Sequence, residues 1–154
     1  MPSRAEIADF LASRHLAFVG ASRDPKAFAN TVYRELRRAD RTLYPVNERA
    51  EGEPIEGDPS YTSLADVPDP VDGVVILVPA EAMTDVVDRA VARGIPRVWL
   101  HRGAGQPPVP PEAVARGRDA GLVVIDGACP LMFDEPVHGI HRFHRGLVRR
   151  RLTA

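Results

Sequence analysis

Gly20-Ala21-Ser22-Arg23-Asp24-Pro25-Lys26 brings a glycine, a hydroxyl and two cations together in a short stretch, the set of groups that holds a phosphate. Glycine lets the main chain turn sharply and come close to a ligand, and the small Ala21 and Ser22 leave that approach unobstructed. Ser22 offers its hydroxyl, a helix starting beyond it presents free amides and the positive end of its dipole, and Arg23 and Lys26 add mobile cations. The competing reading is a tight turn with solvated cations, because glycine after a strand is common punctuation. Ser22 and Pro25 stand where G-x-G-x-x-G would place its later glycines, which weakens a standard NAD site.

Two further stretches have the same form, an apolar run ending in a polar or proline-bearing loop: Tyr44-Pro45-Val46-Asn47 and Leu77-Val78-Pro79-Ala80. Glu48 follows the first closely enough to meet a ribose, although exposed loop glutamates are more often simply solvated. His101, with Arg102 beside it, ends another apolar run and is the best candidate for acid–base chemistry. It has no paired acid or nucleophile in view, so a histidine satisfied by hydrogen bonds at a sheet edge is the favoured reading. Cys129, in Asp126-Gly127-Ala128-Cys129-Pro130, is the only cysteine. It rules out an intrachain disulfide and fits a reducing compartment. A thiol there would react only if it were partly ionised and accessible, and the alternative is a small buried apolar residue.

Such residues need a scaffold that brings separate loops to one edge. Strand-length apolar runs alternate with amphipathic segments, which predicts an α/β, Rossmann-like doubly wound parallel sheet in one three-layer domain. Ser3 and Glu6 form a capping box ahead of Ile7, Phe10 and Leu11, predicting a leading helix. Strands are expected at Leu16–Gly20, Thr42–Asn47, Gly73–Val78, Arg97–His101 and Leu122–Asp126, with helices at Phe28–Ala39, Ala80–Arg93 and Glu112–Ala120. The Pro-, Gly- and acid-rich stretch from Glu48 to Asp72 reads as irregular connection, with a small edge strand near Pro54–Glu56. Right-handed crossovers place the first strand between the second and Gly73–Val78, so the Gly20 and Pro79 loops flank one crevice. No internal repeat or low-complexity tract interrupts this order.

The 154 residues suffice for one domain with a core, the whole chain 1–154, with its centre at about 16–129. A net charge of −1 gives no global attraction to nucleic acid or anionic membrane. Arg4, Glu6 and Asp9 interrupt any leading apolar stretch and no run reaches the ~20 residues of a membrane span, so a cytoplasmic protein is expected. The tail 138–154 carries five arginines and no acid, and predicts a basic helix with Ile140, Phe143 and Leu147 on one face, docking on the domain, a protein partner or a second copy. His138, His141 and His144 fall at i, i+3 and i+6, too far around a helix for a compact site, and no metal is expected.

Taken in order, Gly20–Lys26, Tyr44–Asn47, Ile55-Glu56-Gly57 with Tyr61-Thr62-Ser63-Leu64, Val71-Asp72 and Val78-Pro79-Ala80 resemble the CoA-binding domain family, over about Leu16 to Cys129. That domain forms the amino-terminal part of the succinyl-CoA synthetase α-subunit and of ADP-forming acetyl-CoA synthetases, and also occurs free-standing. The resemblance implies that coenzyme A or an acyl-CoA lies across the carboxyl edge of the sheet. Its diphosphate would lie near Gly20, Ala21 and Ser22, with Lys26 countering charge and Arg23 nearby. Val46 and Asn47 would border the adenosine, and Val78, Pro79 and Ala80 the nucleotide and pantetheine path. Two positions depart from the family: Glu48 replaces a proline, and Phe28 replaces a small residue, where its ring would either cover or obstruct the adenine. The family's ligases use a phosphorylated histidine in a second domain and an ATP-grasp module, and neither fits in this length. The implied role is a non-covalent carrier, sensor or regulatory module rather than a turnover enzyme. An NAD(P)-dependent oxidoreductase and an interaction protein with a vestigial crevice are the rival readings.

Overall fold

The computed structural model describes residues 2–37, 40–103 and 105–133; the predicted basic tail lies outside them. Its elements are α1 (Arg4–Leu11), β1 (His15–Val19), α2 (Phe28–Leu36), β2 (Thr42–Val46), β3 (Gly73–Ile76), α3 (Ala80–Arg93), β4 (Arg97–Leu100), α4 (Pro111–Asp119) and β5 (Val123–Ile125). The five strands form one parallel sheet in the order β2-β1-β3-β4-β5. This is the α/β arrangement that the apolar alternation predicts, with β1 between β2 and β3.

Strands buried on both faces need apolar residues at every position, and β3 is buried from Gly73 to Ile76. One face packs Phe18, Val75, Trp99 and Ile125 against Ile7 and Phe10 of α1 and Val32, Tyr33 and Leu36 of α2. The other packs Ala17, Val74, Ile76, Val98 and Leu100 against Met83, Val87 and Ala90 of α3 and Ala113 of α4. The α1 capping box forms as expected: the Glu6 amide donates to Ser3 Oγ at 3.1 Å, and the Ser3 amide to Glu6 Oε2 at 2.7 Å.

Two local expectations change. α2 ends at Leu36 instead of running to residue 39, because Arg37 is extended and turns its guanidinium onto the Glu56 carbonyl and the Asp58 carboxylate. No edge strand forms at 54–56. Ile55 and Asp58 exchange two main-chain hydrogen bonds, of 3.0 and 2.9 Å, across Glu56 and Gly57, whose φ angles are 52° and 82°. Positive φ at both central residues makes this a type I′ turn, which pushes Ile55 into the core at 1% exposure. The outer edge of β2 is covered instead by Tyr61, which donates to the Pro45 carbonyl and accepts from the Asn47 amide, both at 2.9 Å.

At the amino edge, Asp72 ties β3 to β1. Its Oδ2 accepts the main-chain amides of Arg14 and His15 at 3.1 and 2.9 Å, and the His15 ring Nδ1 lies 3.3 Å away. Burial pushes this carboxyl up, but the bonds from His15 and Arg14 outweigh it and hold the group below its ordinary value of 3.8. A depressed carboxylate stabilises the fold above its unfolded pKa and loses that contribution as pH falls through the folded one. Asp72→Asn is therefore expected to cost about 1 kcal/mol at neutral pH, after allowing for partial exposure. Urea midpoints should show the gap to wild type closing on acidification; a gap that is constant with pH would refute this account.

Candidate functional site

The ends of β1, β2 and β3 open together onto a cleft of about 420 Å³ at the carboxyl edge, within the usual range for small-molecule sites. Val19 and Gly20 form its floor at β1, Val46 and Asn47 one wall at β2, and Val78 and Pro79 the opposite wall after β3. The first turns of α3 and the segment Thr62–Leu64 complete it.

Gly20 makes this convergence possible. Its φ is +111°, and a Cβ there would lie 2.0 Å from the Leu77 carbonyl oxygen. The close approach that requires glycine is thus to the main chain after β3. Gly20 donates its amide to Val46 O at 3.2 Å, and the Leu77 amide donates to Val19 O at 2.9 Å, so all three strand ends are joined at this residue.

Two asparagines hold the chain beyond it. Asn47 Nδ2 donates to the Ala21 carbonyl at 2.7 Å, while its Oδ1 accepts the Arg49 amide at 2.9 Å. Asn30, 1% exposed on α2, accepts the Ser22 amide at 2.7 Å and donates to the Ser22 carbonyl at 2.6 Å. Its Nδ2 also reaches Glu56 Oε1 at 3.0 Å, an oxygen that Arg34 meets at 2.8 Å. The type I′ turn is thereby fastened to the same loop.

Of the residues expected from sequence, Gly20, Val46, Asn47, Val78 and Pro79 line the cleft. Ala21 is fully buried behind it. The Ser22 amide is engaged by Asn30, and its hydroxyl oxygen accepts the Asp24 amide at 3.1 Å. Arg23 pairs loosely with Glu53 at 3.4 Å, and Lys26 is exposed on the loop between Ser22 and α2. Ala80 begins α3 directly after Pro79, outside the lining.

Sequence reasoning missed the cations that do line the cleft. Arg49 enters from the 3-10 turn Glu48–Ala50, and Arg89 from α3, where it pairs with Asp85 at 2.8 Å. Glu48, Glu81 and Asp85 also line it, so acidic and basic groups share the cleft. Asn30 was missed as well, although an asparagine three residues before Tyr33 on the inward stripe of a helix is a readable signal of a buried polar tie.

His101 follows β4, is 8% exposed, and donates its amide to Ile76 O at 2.9 Å. Its ring stands edge-on to Phe28, with centroids 6.0 Å apart. Burial pushes the Cys129 thiol up to about 11, so it is protonated at neutral pH and a poor nucleophile. Among the described residues, no group of three histidine, cysteine or acidic side chains is placed to hold a metal ion, and no helix is long and apolar enough to cross a membrane.

A parallel sheet whose order reverses beside β1, with a cleft outside the carboxyl ends at that reversal, defines a doubly wound nucleotide-binding class of protein. Within that class the chain belongs to the CoA binding domain family, whose model matches residues 14–134. A curated relative, the acetate–CoA ligase (ADP-forming) II subunit alpha of Pyrococcus furiosus, is 31% identical over 92 residues, which is 59% of this chain. The chain spans only 20% of that relative's length. A hypothetical protein from Pyrococcus horikoshii OT3 superposes with a TM-score of 0.70 at 26% identity, covering 94% of this chain and 91% of that one. The dinucleotide-forming acetyl-coenzyme A synthetase 1 of Ca. Korarchaeum cryptofilum superposes with a TM-score of 0.64 at 27% identity, over 77% of this chain and 27% of that one.

Proposed function

We propose that the chain binds coenzyme A or an acyl-CoA non-covalently across the carboxyl edge, as a carrier, sensor or regulatory module that makes no thioester itself. The observation that carries this reading is the cleft at the β1–β3 reversal, in a chain of the CoA binding domain family. The nucleotide end would take the Val46, Asn47 and Pro79 walls. Arg49 would meet phosphate from the cleft, with Ser22, Arg23 and Lys26 on the loop beyond Gly20. Among the described residues the lining holds no histidine, cysteine or lysine, and the Cys129 thiol is held protonated.

Calorimetric titration with CoA, acetyl-CoA, NAD and NADP in parallel tests this. Heat from the CoA compounds alone is expected. Heat from NAD or NADP alone would transfer the chain to the oxidoreductase reading, and none from any of them would favour an interaction protein. Within the site, Arg49→Ala is expected to weaken CoA binding about tenfold, the loss of one charge-assisted hydrogen bond. The remaining affinity should be less salt-sensitive, and Lys26→Ala should act in the same direction by a smaller factor. Arg49→Ala affinity equal to wild type at low and high salt would remove Arg49 from the site.

A further inference from the structure

Phe28 is the large apolar side chain that stands exposed among the described residues, at 44%. An isolated exposed ring is ordinary, but this one has two neighbours at the carboxyl edge. The His101 ring meets it edge-on just past β4, and His101 is itself pinned to Ile76. Gly103 also lies close to it. A Cβ on Gly103 would lie 3.8 Å from Phe28 Cδ1 and 3.3 Å from Gln106 Cγ.

Strand order fixes where this lies relative to the cleft. β4 is three strands from β2, about 14 Å at the usual strand spacing. The Asn30 hydrogen bonds to Ser22 fasten the first turn of α2 beside the Gly20 loop. Phe28, beside His101 at the end of β4, therefore stands remote from the Val46–Asn47 wall and not over the adenine position expected for it from the resemblance; it lies where the arm of a ligand anchored in the cleft would finish.

Resting on the CoA reading above, we infer that Phe28, backed by His101, recognises the acyl group of an aliphatic acyl-CoA. A hydrocarbon chain laid on the exposed ring removes apolar surface from water on both partners, whereas a free thiol has no chain to lay there and a terminal carboxylate would have to give up hydration.

The test is calorimetric titration of the full chain with CoA, butyryl-CoA and succinyl-CoA. Butyryl-CoA is expected to bind about tenfold tighter than CoA, roughly 1.4 kcal/mol, which about 55 Å² of apolar contact supplies. Phe28→Ala should bring the butyryl-to-CoA ratio to within about twofold, and Phe28→Leu should keep most of it. The ring is 44% exposed and touches His101, so Phe28→Ala is expected to lower the urea midpoint and Phe28→Leu to lower it less, and the titrations compare both variants where they are folded. Equal binding of CoA and butyryl-CoA, a preference for succinyl-CoA, or a butyryl preference that survives Phe28→Ala would overturn the assignment and leave CoA binding intact. Absence of binding to every one of these compounds would overturn the CoA reading, and this inference with it.

Discussion

Gly20→Ala is expected to destabilise the protein by about 3 kcal/mol or more and to abolish ligand binding in whatever fraction remains folded. Two penalties act together. A φ of +111° is a conformation that side-chain-bearing residues rarely adopt, and the new Cβ would lie 2.0 Å from the Leu77 carbonyl oxygen and 2.7 Å from its carbon. Neither atom belongs to a flexible side chain, and Leu77 is held in place by the hydrogen bond its amide donates to Val19 O at 2.9 Å. Relief requires β1 and β3 to part at their carboxyl ends, which opens the cleft floor. Gly57→Ala is the control, because Gly57 also has positive φ, +82°, but nothing lies within 4 Å of its would-be Cβ. It should cost only about 1 kcal/mol, the backbone penalty alone. In thermal unfolding the two variants should fall by roughly 10 °C and roughly 3 °C. Equal losses would mean that the contact with Leu77 is unimportant.

Asn30→Ala is expected to cost about 3 kcal/mol and to weaken CoA binding about tenfold, although Asn30 is absent from the cleft lining. The substitution strips the Ser22 amide and carbonyl of their partners and removes one donor from the Glu56 carboxylate, whose side chain is only 13% exposed. Each unsatisfied group costs about 1–3 kcal/mol, and the loop after Gly20 loses the tie that fixes its course. Asn30→Asp separates electrostatics from packing. It keeps the acceptor for Ser22 but turns a carboxylate towards Glu56 and the Ser22 carbonyl, so at neutral pH it should be worse than the alanine variant. The introduced carboxyl, raised by those neighbours, regains a proton donor on acidification, so the order should reverse as pH is lowered. Wild-type stability in Asn30→Ala, or an aspartate variant indifferent to pH, would show that this network does not hold the loop.

These two residues differ in how far the sequence discloses them. Gly20 is visible as a turn after an apolar run, but its reason is not, because Leu77 lies far along the chain and no local pattern states which loop will press on it. Asn30 sits in a helix whose inward stripe is readable from Val32 and Leu36, yet its partners Ser22 and Glu56 belong to two separate loops. The same limit explains the turn at Ile55–Asp58. Its composition reads as loop or edge, while the inward pull on Ile55 and the bonds from Arg34 and Arg37 to Glu56 and Asp58 arise only on packing.

By itself the amino-acid order determined the α/β alternation, the Ser3–Glu6 cap, the neighbours of β1 and the three loops that meet at the carboxyl edge. Those features follow from local periodicity, short-range capping and the handedness of crossovers, each encoded within a few dozen residues. Only the folded chain decided which cations face the cleft. Arg49 and Arg89 point in because the 48–50 turn and the rotation of α3 on the sheet aim them there, while Arg23 is drawn off to Glu53. Side-chain direction is set by contacts between distant segments, and residue type and spacing do not carry that information.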